Sequence, residues 1–302
     1  MKGMPMASPF IFYTKDITVE RHIAIIGTGL IGTSIGLAAT AAGYTVDAWD
    51  PSVENLATAV RLGAVKHAAK SLGEAVLHAA ITIVATPPEL VADTVRSVLA
   101  FTGKDAIVTD VTSTKVPLMP LADADPRFVP GHPMAGSERH GAIHARVDLF
   151  QGAVWPICPS EHSSTTAINA VEGLIQALGG MPMRLDAAVH DASIAITSHL
   201  PHIAAYAMYA MARQADLSSG LPVFELAAGG FHSATRVAAS SPEVWTRILT
   251  SNRAAVVETL DGYLEHLLAV KDALAQEDDA ALAKLLHSGM RHPDNVVRYP
   301  SA

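Results

Sequence analysis

Apolar residues follow two different rhythms along this chain, and the change comes near residue 187. In the first part, short β-type runs at 22–26, 45–49, 80–85, 106–109 and 127–129 alternate with helical patterns. Each run is stopped by turn chemistry: Gly27, Asp50, Thr86-Pro87-Pro88, Asp110 and Pro130-Gly131. That alternation predicts a parallel sheet with helices on both faces, a doubly wound α/β domain. A helix is expected over 34–42, opening off a glycine turn. A run at 153–158, a helix over 165–178 and a run at 183–185 read as an antiparallel appendage. Beyond about residue 187 the strand signal stops. Apolar positions then recur at three- and four-residue intervals, predicting helices over 190–213, 223–239, 243–249, 252–274 and 278–290. The expected plan is an irregular extension over 1–20, a Rossmann-like domain over 21–187 and an all-α domain over 188–302.

Composition narrows the function classes. Hydrophobic residues make up 50% of the chain and charged ones 17%, and the mean hydropathy is +0.28. No stretch reaches the roughly 18 to 20 apolar residues that a spanning helix needs, so no membrane partner is expected. The short apolar patch near the start is wrongly flanked for a secretory signal. The lone Cys158 leaves no intramolecular disulfide, in keeping with a reducing, cytoplasmic location. A net charge of -8 argues against a nucleic-acid surface. It leaves an anionic small molecule open, because one or two pocket arginines outweigh the global sign locally.

The glycine turn Gly27-Thr28-Gly29-Leu30-Ile31-Gly32 sits between a strand and a helix. That is the context in which such glycines admit a pyrophosphate to a helix N-terminus. Asp50 closes the next strand, at about the 20-residue spacing where a carboxylate accepts from ribose hydroxyls and repels a 2′-phosphate. NAD is therefore the expected cofactor. The turn alone would equally serve packing, or hold another adenosine-containing ligand. About a hundred residues on, His132 stands in a Pro/Gly-shaped loop. A dinucleotide site followed by a positioned proton acceptor points to hydride transfer from a hydroxyl-bearing carbon.

Five segments together carry a family resemblance: Gly27-Thr-Gly-Leu-Ile-Gly-Thr-Ser34, Asp110-Val-Thr-Ser-Thr-Lys115, Gly131-His-Pro-Met-Ala-Gly-Ser-Glu138, Ser198-His-Leu-Pro-His202 and Ala234-Thr-Arg-Val237. From about His22 to Met290 the chain resembles the prephenate/arogenate dehydrogenases. The resemblance implies NAD-dependent oxidative decarboxylation of a cyclohexadienol in tyrosine biosynthesis, and a homodimer joined through the helical domain. It implies His132 as the catalytic imidazole, and Ser113 as a second catalytic group near the same hydroxyl and the nicotinamide. Arg236 is implied as the substrate-carboxylate cation, with His202 and Ser198 at the substrate pocket. Glu138 either orients His132, lines the pocket or is an exposed loop carboxylate.

Three features keep alternatives in view. Where the family usually has an acid three positions before the arginine, this chain has Ser233, so prephenate, arogenate or both remain open as substrates. The His199-x-x-His202 pair invites a zinc reading, but no third ligand is placed by a motif and hydride transfer needs none, so no metal is expected. A β-hydroxyacid dehydrogenase would carry a lysine where this chain reads Ser198-His-Leu-Pro-His202. A non-catalytic NAD sensor would need no His132, Ser113 and Arg236 together.

Overall fold

A computed structural model describes residues 22–136 and 139–290. The extension expected over 1–20 lies outside the described residues. The runs β1 (His22–Ile26), β2 (Thr45–Trp49), β3 (His67–Ala68), β4 (Ile81–Val84), β5 (Ile107–Asp110) and β6 (Phe128–Val129) form one sheet in the order β3-β2-β1-β4-β5-β6. Every pairing is parallel. The strand order reverses between β1 and β4, which opens a crevice beyond their carboxyl ends. Helices α1 (Leu30–Ala41), α2 (Val53–Arg61), α3 (Leu72–Val76), α4 (Pro88–Phe101) and α5 (Met119–Ala124) supply the crossovers.

The central strands are buried on both faces, which explains their unbroken apolar runs. One face packs Ile23, Ile25 and Ile83 against Ile35, Ala39 and, farther off, Trp155 and Leu174. The other packs Ala24, Ile26 and Val108 against Val91, Val95 and Val98. Each such isoleucine or valine contributes about 1.5–3 kcal/mol of burial, so the sheet is a rigid floor for whatever its loops carry.

The expected appendage is present but runs the other way. β7 (Val154–Ile157) and β8 (Met181–Arg184) pair in parallel, not antiparallel, with α6 (Thr165–Ala177) between them. The reason is the connection: a chain that spends a whole helix between two strands returns in the starting direction. The antiparallel element here is a single bridge from Gly131 to Ile157.

The rest is helical: α7 (Ala187–Ile194), α8 (Leu200–Ser219), α9 (Gly229–Thr235), α10 (Pro242–Ser251), α11 (Arg253–Ala275) and α12 (Asp279–Ser288). Two expected helices are modified. The one read over 190–213 contains a π turn at Ala195–His199, just ahead of Pro201. A proline ring cannot fit an unbroken α ladder, and a widened turn gives it room. The helix read over 223–239 begins only at Gly229 and tightens into a 3-10 turn at Arg236–Ala239. Gly229 and Gly230 cost about 1 kcal/mol each in a helix interior relative to alanine, so the segment breaks there. Arg236 therefore stands at the mouth of a tight turn, not within a long helix. Among the described residues, no helix is long and apolar enough to cross a membrane.

Candidate active site

A cleft of about 1190 Å³ runs from the sheet crevice to the helical domain. Pockets for a single small ligand enclose roughly 300–1,000 Å³, so this one has room for a dinucleotide and a second molecule.

Its floor is the glycine turn. Gly27 has φ +100, and a Cβ there would strike the Ala85 carbonyl at 2.5 Å. A Cβ on Gly32 would lie 1.9 Å from the Gly27 carbonyl oxygen, so strand and helix approach closely because that residue has no side chain. Beside Gly29 nothing lies within 4 Å. No side chain caps α1, whose first residues Leu30 and Ile31 line the cleft. Uncapped amides facing open space are what a pyrophosphate requires. Asp50 also lines the cleft, and its carboxylate accepts from the Thr28 amide (2.6 Å), the Thr28 hydroxyl (3.0 Å) and the Ser52 amide (2.7 Å). These contacts fix its position while leaving one lone-pair site, on Oδ1, for a ribose hydroxyl. Thr28 and Gly32 are buried beneath the cleft floor.

Above the floor, the β5 loop and the segment after β6 are bound to each other. Lys115, with no exposure, donates from Nζ to Asp110 (2.5 Å) and to the Gly131 carbonyl (2.6 Å). Asp110 accepts in turn from the Thr112 hydroxyl and from the Gly131 amide at 3.1 Å. The His132 and Met134 amides donate to the Pro156 and Val154 carbonyls, both at 2.9 Å. The loop carrying His132 is thus fixed on both sides.

His132 is half-buried at the cleft wall, with Ser113 beside it in the lining. Burial, and then the charge of Lys115, hold its imidazole well below the usual histidine value. Its Nδ1 lies 3.0 Å from Nε2 of His190, whose Nδ1 lies 2.7 Å from Oδ1 of Asp191. Asp191 also accepts from the Lys115 amide (2.8 Å) and the Val116 amide (2.9 Å). His190 and Asp191 are 1% and 3% exposed.

The helical domain supplies the opposite wall. Ser198, His202 and Arg236 all line the cleft. Nδ1 of His202 donates to the Ser198 carbonyl (2.9 Å), and its ring stacks on Trp245 with centroids 3.4 Å apart. Burial holds the His202 imidazole below its ordinary value, and the Arg236 guanidinium acts in the same sense. His199 is fully buried, with Nδ1 3.3 Å from the Asn252 amide nitrogen and no partner for Nε2 among the described residues. Asn252 also donates to the Asp191 carbonyl at 2.8 Å.

Every described residue expected at the site except Thr28 and Gly32 therefore reaches one cavity. Glu138 lies outside the described residues. Sequence reasoning assigned nothing to Lys115, Asp110, Asp191 and Asn252, and no step to His190. Lys115 and Asp110 did lie inside a recognised motif, whereas His190 and Asp191 reach the site only through the fold.

Residues 35–183 match the model for the prephenate dehydrogenase nucleotide-binding domain, and 186–288 match its dimerization domain. A cyclohexadienyl dehydrogenase of Zymomonas mobilis is 34% identical, over 87% of this chain and 91% of its own. The arogenate dehydrogenase structure from Synechocystis superposes with a TM-score of 0.78 at 27% identity, covering 88% of this chain and 96% of that one. A prephenate dehydrogenase from Aquifex aeolicus, solved with hydroxyphenyl propionate and NAD+, gives a TM-score of 0.84 at 24% identity over 91% of this chain and 97% of that one. At that identity it speaks for the fold alone.

Proposed function

Because the chain belongs to the prephenate dehydrogenase family, we propose that it converts prephenate to 4-hydroxyphenylpyruvate in tyrosine biosynthesis. It is an NAD-dependent oxidoreductase; NAD held by the glycine turn and Asp50 would supply the acceptor for the hydride that leaves ring C4. His132 takes the C4 hydroxyl proton as C4 becomes a carbonyl. The bond from C1 to its carboxylate then breaks, CO2 leaves, and the electron pair aromatises the ring. The phenolate recovers the proton from His132, so none is gained or lost overall. Ser113 hydrogen-bonds the same oxygen. Arg236 pairs bidentately with a substrate carboxylate, which a planar guanidinium does and an ammonium does not. His202 and Ser198 line the substrate end, and His202 holds its ring flat against Trp245.

One observation carries this reading: His132 and Arg236, from different domains, line the same cavity as the glycine turn and Asp50. Asp50 favours NAD over NADP by repelling a 2′-phosphate. An arogenate or dual-specificity activity is the second reading, favoured by Ser233 in place of the usual acid and by the names of the relatives. The two substrates differ at the side chain, where one carries a ketone and the other an ammonium.

A homodimer through the helical domain belongs to the same proposal. Met208, Met211 and Leu217 on α8 and Leu264, Leu267 and Leu268 on α11 are exposed apolar residues on the part that matches a dimerization domain.

The test is reduction of NAD and of NADP with prephenate and with arogenate in parallel. The reading expects the highest kcat/KM for prephenate with NAD, and a loss of two or more orders of magnitude in kcat for His132→Asn with NAD affinity intact. Equal turnover by His132→Asn removes His132 from the mechanism, and a preference for arogenate replaces the first reading with the second.

A further inference from the structure

A general base needs its lone pair on the nitrogen that faces the substrate, and a neutral imidazole chooses between two tautomers. The hydrogen bonds behind His132 bear on that choice. Each oxygen of Asp191 accepts a backbone amide, from Lys115 or from Val116. The carboxylate is therefore purely an acceptor, and its neighbour Nδ1 of His190 must donate to it. With its proton on Nδ1, a neutral His190 presents a bare Nε2. Nδ1 of His132, 3.0 Å away, must then be the donor. The remaining nitrogen of His132, Nε2, keeps its lone pair.

We infer that His190 and Asp191 are positioning residues that lock His132 in its Nδ1–H tautomer and share the charge it gains when Nε2 takes the substrate proton. The inference rests on His132 being the proton acceptor proposed above. The rings of His132 and His190 meet edge to face at 73°, so a lone pair of one ring can point at an N–H in the plane of the other. Asp191 is immobilised from three directions: the two amides on its carboxylate, and Asn252 on its backbone carbonyl. The middle of α7 is thereby pinned to the segment after β5, 76 residues away in sequence.

The groups facing His132 act in both directions. Lys115 after β5, His190 on α7 and His199 on the π turn oppose a positive charge on it, as burial does. Asp191 lies behind the neutral His190, and Asp110 offsets the Lys115 ammonium. The result is a base that stays neutral at moderate pH and acquires a counter-charge, through His190, only as it takes a proton.

Side-chain ¹⁵N NMR of the purified protein, with signals assigned from His132→Asn and His190→Gln spectra, reads the tautomer without using turnover. The expected result is a His132 protonated on Nδ1 and bare on Nε2, with the reverse tautomer predominating in His190→Phe. In assays, His190→Phe should lower kcat by about 100-fold, the scale on which losing a partner that orients an imidazole is felt, with KM changed less than about twofold. His190→Gln, whose carbonyl can accept from Nδ1, should stay within about tenfold of the unaltered protein. Asp191→Asn should move the acid limb of the kcat profile to lower pH, since the imidazolium loses its counter-charge. A His132 protonated on Nε2 in the unaltered protein overturns the inference. So does an equal loss from His190→Phe in a His132→Asn background, which would mark a purely structural role. Full turnover by His132→Asn would instead sink the base assignment, and the tautomer would still be read directly.

Discussion

Nζ of Lys115 lies 2.5 Å from Oδ2 of Asp110, and neither side chain has any solvent exposure. The same ammonium donates to the carbonyl of Gly131, the residue before His132. An ion pair taken fully out of water is maintained only by complete hydrogen bonding, and removing one partner leaves the other charge stranded. Lys115→Met should therefore cost about 3–5 kcal/mol in urea unfolding. Because the Gly131 carbonyl also loses its donor, kcat should fall more than KM rises. A variant with unaltered stability would show that the buried pair does not hold the loop in place.

Arg236 lines the cleft with His202, and its charge opposes protonation of that ring. Arg236→Ala should raise KM for prephenate by about 10- to 100-fold, the worth of a charge-assisted hydrogen bond or two, while kcat falls less. Arg236→Lys should recover only part of this, because an ammonium cannot form the paired contact. Unchanged KM in both variants would move the carboxylate site elsewhere in the cleft.

Asp50 keeps its place through Thr28, which donates to one carboxylate oxygen, and Ser52, which donates to the other; an asparagine oxygen can still accept both bonds from Thr28, with only the Ser52 bond lost. Asp50→Asn should therefore leave the turn folded while removing the charge that repels a 2′-phosphate. The expected outcome is a rise of about tenfold or more in kcat/KM for NADP relative to NAD. If the ratio stays where it was, Asp50 does not select the cofactor.

The readable parts of the site are the local ones. The glycine turn, the loop around His132 and the Ser198–His202 segment each place their chemistry within a few residues, and their strand or helix context follows from periodicity. The relay behind His132 joins residues 58 positions apart, which no local pattern encodes. The β7–β8 pairing is parallel against the antiparallel expectation, because strand direction is set by the intervening helix and not by the apolar pattern of the runs themselves. The π turn before Pro201 and the break at Gly229 escape for another reason. Apolar spacing reports which face is buried, and it continues smoothly through a local change of helical pitch.

Burial holds the His199 imidazole down to about 4, against a value near 6.5 for an exposed histidine. The unfolded chain therefore binds this proton first, and acidification favours unfolding between about pH 6.5 and 4. Above that window the histidine's contribution is complete; below it the contribution is gone. The size is on the order of 3 kcal/mol, from the linkage between the two values. His132, also held well below its ordinary value by burial, acts in the same direction. Urea midpoints at pH 7.0, 5.5 and 4.5 should therefore decline steeply for the unaltered protein and less steeply for His199→Gln, which cannot titrate. Two parallel declines would mean that His199 becomes protonated without unfolding, and that its unpartnered Nε2 finds an acceptor in the cleft.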